Sequence, residues 1–165
     1  MPATYELIAT TTLGSAASSI TFSSIPNTYT DLVLVVVVKA TSGNTSNCNV
    51  TLNSDTGSNY SYTRLGGDGS SATSARFTDT GSIRTGTGSV PASGVGFWTF
   101  DLFSYAGSTY KTVLTTQSLD ANGSGTVVRA VNLWRSTSAI NTITCNFSNN
   151  GDTGTTAKLY GIKEA

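Results

Sequence analysis

The feature that most constrains this chain is the run DLVLVVVVKA at residues 31–40, where seven consecutive apolar residues stand between Asp31 and Lys39. As a helix this run would rise about 10 Å, whereas a bilayer core of about 30 Å needs about 20 apolar residues. Five of the seven are Val, which loses rotamer freedom in a helix and suits a strand. As a strand the run spans about 23 Å, and apolar side chains at both parities indicate that both faces are covered. The run therefore predicts a central strand of a packed β core.

The remaining sequence also predicts strands. Apolar or alternating stretches are separated by turn clusters rich in Gly, Ser and Asn, and nowhere do apolar residues recur at helical spacing. The predicted strands cover residues 4–12, 18–23, 31–40, 47–53, 59–65, 95–103, 109–117, 125–135, 140–147 and 156–163, with shorter candidates near 75–78 and 82–85.

This pattern predicts one all-β domain over residues 1–165, an antiparallel β-sandwich or barrel of about 8–10 strands without substantial helix. The Gly- and Ser-rich stretch 66–94 is expected to be a long irregular loop, an arm or a hairpin used for contact, because it exceeds most connections in compact domains.

Charge argues against several classes of partner. Charged residues make up 11% of the chain, with nine basic residues against nine acidic ones, so no basic patch is expected to grip nucleic acid. Solubility comes instead from 23 Ser, 29 Thr and 12 Asn. The first residues lack both a charged start and a continuous apolar stretch, so we expect no secretory leader and no membrane partner.

The sequence contains few of the residue types and patterns that catalytic sites use. The chain has no His, which removes the commonest general base and the usual transition-metal ligand. The stretch NSDTGSN at 53–59 places oxygen side chains at alternate positions as a calcium loop does, but it has one carboxylate, and an Asx-rich turn explains it better. We expect no enzymatic activity, no cofactor and no metal site.

The two cysteines, Cys48 and Cys145, share the parity of their apolar neighbours and are expected to face the core. Buried free thiols are the favoured interpretation. A disulfide between neighbouring strands and, less favoured, a metal site stay open at this point.

Large aromatic side chains cluster in GFWTFDLFSY at 96–105, which predicts a second central strand with Trp98 and Phe100 on one face. An exposed sugar-stacking platform is the alternative. As surface-contact candidates the sequence offers Tyr60, Tyr62, Arg64, Arg76, Phe77, Tyr105 and Tyr110.

Three blocks of the sequence resemble a family of small structural proteins of tailed bacteriophages, cyanophages among them. They are YELIATTTLGSAASSITFSSIPNTYTDLVLVVVV (5–38), DTGSNYSYTRLGGDGSSATSAR (55–76) and KLYGIKEA (158–165). The resemblance implies a jelly-roll sandwich that is assembled into the virion as a symmetric oligomer, and it brings no catalytic residue with it.

Within such a particle we expect a capsid decoration, or cement, protein that is made in the host cytoplasm. It would bind the major capsid protein and copies of itself, as a homotrimer on the capsid surface, and stabilise the shell through interface area. The alternative is a tail-fibre or receptor-binding protein that recognises host glycans. Fibres usually carry an N-terminal adaptor, whereas strand-like sequence begins here at Tyr5, which favours decoration.

Overall fold

The computed structural model describes residues 4–40, 47–86, 90–91, 94–120 and 122–163, and no helix occurs among them. The strands are β1 (Tyr5–Thr12), β2 (Ala17–Phe22), β3 (Asp31–Lys39), β4 (Cys48–Leu52), β5 (Tyr60–Gly67), β6 (Ala72–Thr80), β7 (Val95–Leu102), β8 (Lys111–Asp120), β9 (Gly125–Trp134), β10 (Ile143–Gly151) and β11 (Thr156–Ile162). The predicted all-β class is confirmed. The strand count exceeds the expectation by one, because β6 is a full strand.

The strands form two antiparallel sheets that face each other across one core. The large sheet has the order β1-β11-β3-β7-β8-β9-β5-β6, and the small sheet has the order β2-β10-β4. Ile83 extends the small sheet through a bridge to Val50. The chain passes back and forth between the sheets through β1, β2, β3 and β4, stays in the small sheet for Ile83, and then crosses again through β7, β10 and β11, which is the path of a jelly roll.

Two pairs of strands lie outside this alternating path. β5 and β6 are inserted between β4 and Ile83, and β8 and β9 are inserted between β7 and β10. They pair with each other in the order β8-β9-β5-β6 and so double the width of the large sheet. Because the small sheet has only three strands in the described chain, β5 and β6 extend beyond it, and β6 is exposed along most of its length.

The core is built on the even-numbered side of β3. Leu32, Leu34, Val36 and Val38 are all 0% exposed and pack with residues of both sheets. The odd-numbered residues of the same strand are only half-buried. The expectation that both faces of this run are covered is therefore wrong for the single chain, because no described residue lies over the outer face of the large sheet.

Trp98 ties the two sheets together. Its ring is fully buried, as is that of Phe100, so the core interpretation holds for these two residues, whereas Phe97 and Phe103 of the same segment are 44% and 43% exposed. The Trp98 indole Nε1–H donates to Thr85 Oγ1 at 3.0 Å, and Thr85 Oγ1 in turn donates to the Cys48 carbonyl at 3.4 Å. A buried indole N–H would otherwise cost free energy, so this chain of bonds fixes the distance between the sheets.

Both cysteines are buried free thiols on neighbouring strands, β4 and β10. Burial, together with the adjacent Cys145 thiol, raises the pKa of the Cys48 thiol well above its ordinary value. A thiol held protonated inside the core is chemically inert and acts as a small apolar side chain.

The Gly- and Ser-rich stretch is more regular than the sequence indicates. Its first part completes β5 and forms β6, and the four residues between them, 68–71, make a tight turn. Asp68 Oδ1 accepts hydrogen bonds from the backbone N–H groups of Ser70 and Ser71, and Gly69 adopts a φ of 88° that suits Gly. The hairpin alternative was right and the irregular loop was wrong here, whereas residues 87–89 and 92–93 lie outside the described residues.

The two sides of β3 offer a matched pair of substitutions. Val36→Ala removes methyl groups from the fully buried, even-numbered side of β3 and should lower the free energy of unfolding by about 2 kcal/mol. Val35→Ala on the half-buried side should cost less than about half of that. Urea unfolding followed by Trp fluorescence, at sub-micromolar protein, measures both. Equal losses would contradict the assignment of the core side.

Candidate functional site

The surface-contact candidates of the sequence come together only in part, on the β5–β6 hairpin. Tyr62 and Phe77 are cross-strand partners whose rings stack with centroids 4.8 Å apart and planes 18° apart. The Arg64 guanidinium carbon lies 5.6 Å from the Phe77 ring centroid, in a cation–π contact. We call Tyr62, Arg64 and Phe77 the hairpin face. It lies on the inner side of the large sheet, beyond the reach of the small sheet.

A β-bulge sets this register. Tyr60 pairs with Thr80, but Tyr62 pairs with Phe77, so β6 contains one extra residue. The extra residue is Asp79, whose φ is 57°. Its carboxylate accepts a hydrogen bond from Arg135 Nη2 at 2.8 Å. Without the bulge, Phe77 would point to the other side of the sheet.

Arg64 is short of polar partners for its position. The ion pairs of the described residues join Arg135 to Asp79 and Lys163 to Glu6, and neither includes Arg64. Its Nε is buried and makes no hydrogen bond to any described atom. A guanidinium that stacks on an aromatic ring while its donors stay unpaired is suited to accept a partner from outside the chain.

A shallow recess of about 180 Å³ adjoins Arg64 at the tip of the hairpin. Its lining combines the Arg64 guanidinium and the Asp68 carboxylate with hydroxyl groups of Ser71, Thr73 and Thr126. Hydrogen bonds from backbone N–H groups of the turn lower the pKa of Asp68, so this carboxylate stays ionised at neutral pH. Such a lining can form several hydrogen bonds with a polyhydroxylated ligand.

For two of the predicted contact residues, the prediction of a surface position is wrong. Tyr60 and Tyr105 are both 0% exposed. The Tyr60 hydroxyl donates to the Asp55 carbonyl, and burial raises its pKa to about 12. The Tyr105 hydroxyl donates to the Pro26 carbonyl. Each ring packs in the core because a backbone acceptor satisfies its one polar group.

The remaining two candidates are exposed but belong to other surfaces. Arg76 lies on the opposite side of the hairpin from Phe77, where its Nη1 donates to Thr63 Oγ1 at 3.2 Å. Tyr110 is 55% exposed in the segment that precedes β8, off the hairpin.

Sequence reasoning missed a second surface, the outer face of the large sheet. It consists of the side chains that point away from the small sheet on β3, β7, β8, β9 and β5. Its apolar members include Val35, Val37, Phe97, Val127, Val131 and Leu65, of which Leu65 is 65% exposed. The signal that could have found it was the odd-parity Val residues of β3, because no helix or third sheet occurs among the described residues to cover them.

One acidic and one basic residue stand in the middle of the outer face. Asp101 on β7 and Arg129 on β9 flank the central strand β8, opposite Leu114 and Thr116 respectively. Burial raises the pKa of Asp101, although the Arg129 charge pulls it in the other direction. The Asp101 carboxylate makes no hydrogen bond within the described part of the chain.

The calcium-like stretch serves as a structural turn. Asp55 Oδ1 accepts from the Gly57 N–H and Oδ2 accepts from Trp134 Nε1 at 2.7 Å, while Asn59 donates to both oxygens. Burial alone would raise the pKa of Asp55, but the hydrogen bonds from Trp134, Asn59 and Gly57 outweigh it and lower the pKa. Both oxygens are therefore already engaged.

Neither a metal cluster nor a membrane-spanning helix occurs within the described ranges. No three His, Cys, Asp or Glu side chains there converge as a metal site would require. Nor does that part of the chain hold a helix with the length and apolarity of a membrane span. Comparison with protein-family models, with curated proteins and with solved structures found no match.

Asp55→Asn tests the turn. An amide would place an N–H group against the Trp134 N–H, so we expect a loss of about 1 kcal/mol or more at pH 7. Because the folded-state pKa of Asp55 is lowered, its contribution is present above the unfolded pKa of about 4 and disappears as the pH falls through the folded value. Urea unfolding at pH 7 and at pH 3 should therefore show a gap between variant and parent that shrinks in acid. A gap of the same size at both values would contradict this role.

Proposed function

We propose that this chain is a structural protein of a tailed-bacteriophage virion, and specifically a capsid decoration protein that binds the major capsid shell and stabilises it. The three sequence blocks that resemble phage structural proteins support the class of particle. The placement of surfaces on the large sheet supports the role within it.

The observation that carries the proposal is a pair of contact surfaces on opposite sides of one sheet. The hairpin face lies on the inner side, and the apolar outer face lies on the other. A subunit that fastens a shell must touch both the shell and its own neighbours, and this requires two surfaces that do not overlap. A sandwich whose large sheet extends past the small one supplies them.

The hairpin face is the surface we assign to the shell. Tyr and Arg are the residues that most often dominate binding energy at protein interfaces, and here they sit beside an aromatic ring with the guanidinium donors unpaired. The hairpin lies at the free edge of the large sheet, so a partner can approach it without disturbing the core.

The recess beside Arg64 favours a second candidate, a tail protein that binds host glycans. Guanidinium, carboxylate and hydroxyl groups in one shallow recess match the hydrogen-bonding pattern of a sugar. Under this alternative the hairpin faces the host cell, and the protein occurs at a few tail positions.

Particles that lack the protein separate the two candidates. A decoration protein should be present in hundreds of copies, and its loss should release the genome on heating while adsorption stays normal. A receptor-binding protein should be present in about a dozen copies, and its loss should abolish adsorption while the shell keeps its heat resistance. Quantitative mass spectrometry of virions, a heat-release assay and an adsorption assay give the answer.

Arg64→Ala should weaken binding of the purified protein to particles that lack it by roughly 30-fold, because a desolvated Arg anchor typically contributes about 2 kcal/mol. Arg76→Ala is the matched control, since it removes the same residue type from the other side of the same hairpin, and it should bind within about threefold of the parent. Co-sedimentation with particles measures both. Equal binding by all three proteins would contradict the assignment of the hairpin face.

A further inference from the structure

We infer that the outer face of the large sheet is the interface with a second copy of this chain, and that the two copies are related by a two-fold axis lying over β8. This inference rests on the proposed function, because both assign to the protein a role that depends on protein–protein interfaces. It adds the identity of one partner, the surface used and the symmetry of the contact.

The exposed area is sufficient for a stable dimer. The five strands of this face, spaced about 4.8 Å apart and about seven residues long, give roughly 550 Å², so two copies would bury about 1,100 Å² together. A specific protein interface buries about 1,000 Å² or more in total. Val127 is 57% exposed, Val131 is 47% exposed and Phe97 is 44% exposed on this face, so much of it is apolar surface in contact with water.

The apolar residues are arranged symmetrically about β8. Val35, Val37 and Phe97 lie on β3 and β7, to one side of that strand. Leu65, Val127 and Val131 lie on β5 and β9, to the other side. A two-fold axis in the plane of the interface and parallel to β8 places each apolar half against the opposite half of the second copy. The face is therefore self-complementary, as an isologous interface requires.

The charges obey the same symmetry. Asp101 stands one strand to one side of β8, and Arg129 stands one strand to the other side. The axis that exchanges the apolar halves leaves the position along β8 unchanged, so Asp101 of one copy, in line with Leu114, lies two residues along the strand from Arg129 of the other copy, in line with Thr116. The long Arg129 side chain can span this diagonal offset, and the contact occurs twice per dimer. Asp101 is half-buried without a hydrogen bond in the described chain, and its raised pKa reflects that unfavourable position. An Arg129 guanidinium from the second copy would supply the missing partner.

This two-fold contact is compatible with a trimer formed through other surfaces. Three-fold and two-fold axes combine in a dihedral hexamer, in which each chain uses two different faces. The decisive prediction is an assembly with an even number of chains.

The test exchanges the two charges. Asp101→Arg and Arg129→Asp should each raise the dimer dissociation constant by about 100-fold or more, because each puts like charges opposite one another twice. An equimolar mixture of the two variants should associate again, since at each contact an arginine of the first variant then faces an aspartate of the second. Light scattering after gel filtration measures the mass against the 17.0 kDa of one chain. Near-UV circular dichroism confirms that each variant is folded.

A cross-link gives a second measurement that does not depend on charge reversal. Facing sheets pack about 10 Å apart, which is too far for a disulfide, so Thr116→Cys, on β8 beside the axis, should instead be joined to the same residue of the second copy by a short bismaleimide reagent. Ser74→Cys is the control, because it occupies the same face but on β6, far from the axis, and should stay uncrosslinked. The native thiols are buried and should not react.

Three results would overturn the inference: a wild-type protein that stays monomeric at about 100 µM, a wild-type assembly with an odd number of chains, or an even assembly that both charge reversals leave unchanged. These outcomes are separate from the fate of the proposed function. A charge-dependent dimer that is absent from virions would overturn the function alone, whereas a decoration protein whose outer face stays uncovered would overturn the inference alone.

Discussion

The structure depends on the burial of one side of β3. Leu32, Leu34, Val36 and Val38 are excluded from water, and β3 lies between β11 and β7 in the large sheet. Those neighbours come from distant parts of the sequence, so the apolar side of this strand organises the jelly-roll path around itself. The bonds from Trp98 through Thr85 to Cys48 then hold the small sheet at a fixed distance. The inserted strands β5, β8 and β9 add Tyr60, Val113 and Trp134 to the same core, and together with β6 they carry further side chains that the core does not cover.

The inserted strands create the surfaces on which the protein can act. They widen one sheet and not the other, which leaves the inner side of the hairpin uncovered and enlarges the outer face at the same time. The bulge at Asp79 aims Phe77 toward Arg64, and the Arg135 ion pair holds the bulge in place. Both proposed contact surfaces thus arise from a mismatch in the width of the two sheets.

The sequence predicted the parts of the fold that depend on local composition. Val-rich and alternating segments became strands, and the parity of Cys48 and Cys145 placed both thiols in the core. It failed where exposure depends on distant groups. β6 shows no alternation because water reaches both of its sides, and Tyr60 is buried because the Asp55 carbonyl happens to meet its hydroxyl. The hairpin face was predicted as separate residues, but its assembly depends on a bulge that leaves no mark in the sequence.

The pairing of β1 with β11 has a consequence for the newly made chain. Tyr5 lies opposite Ile162, and β11 also pairs with β3. Two strands of the large sheet, β1 and β3, therefore cannot complete their pairing until β11, near the end of the sequence, has been synthesised. At about 5–20 residues per second, a ribosome needs roughly ten seconds to travel from β3 to β11. During that interval one edge of the Val-rich strand β3 has no partner, because contacts between residues far apart in the sequence form only after both have been synthesised. Rapid closure after release, or shielding by a chaperone, is thus a condition for soluble production of this protein.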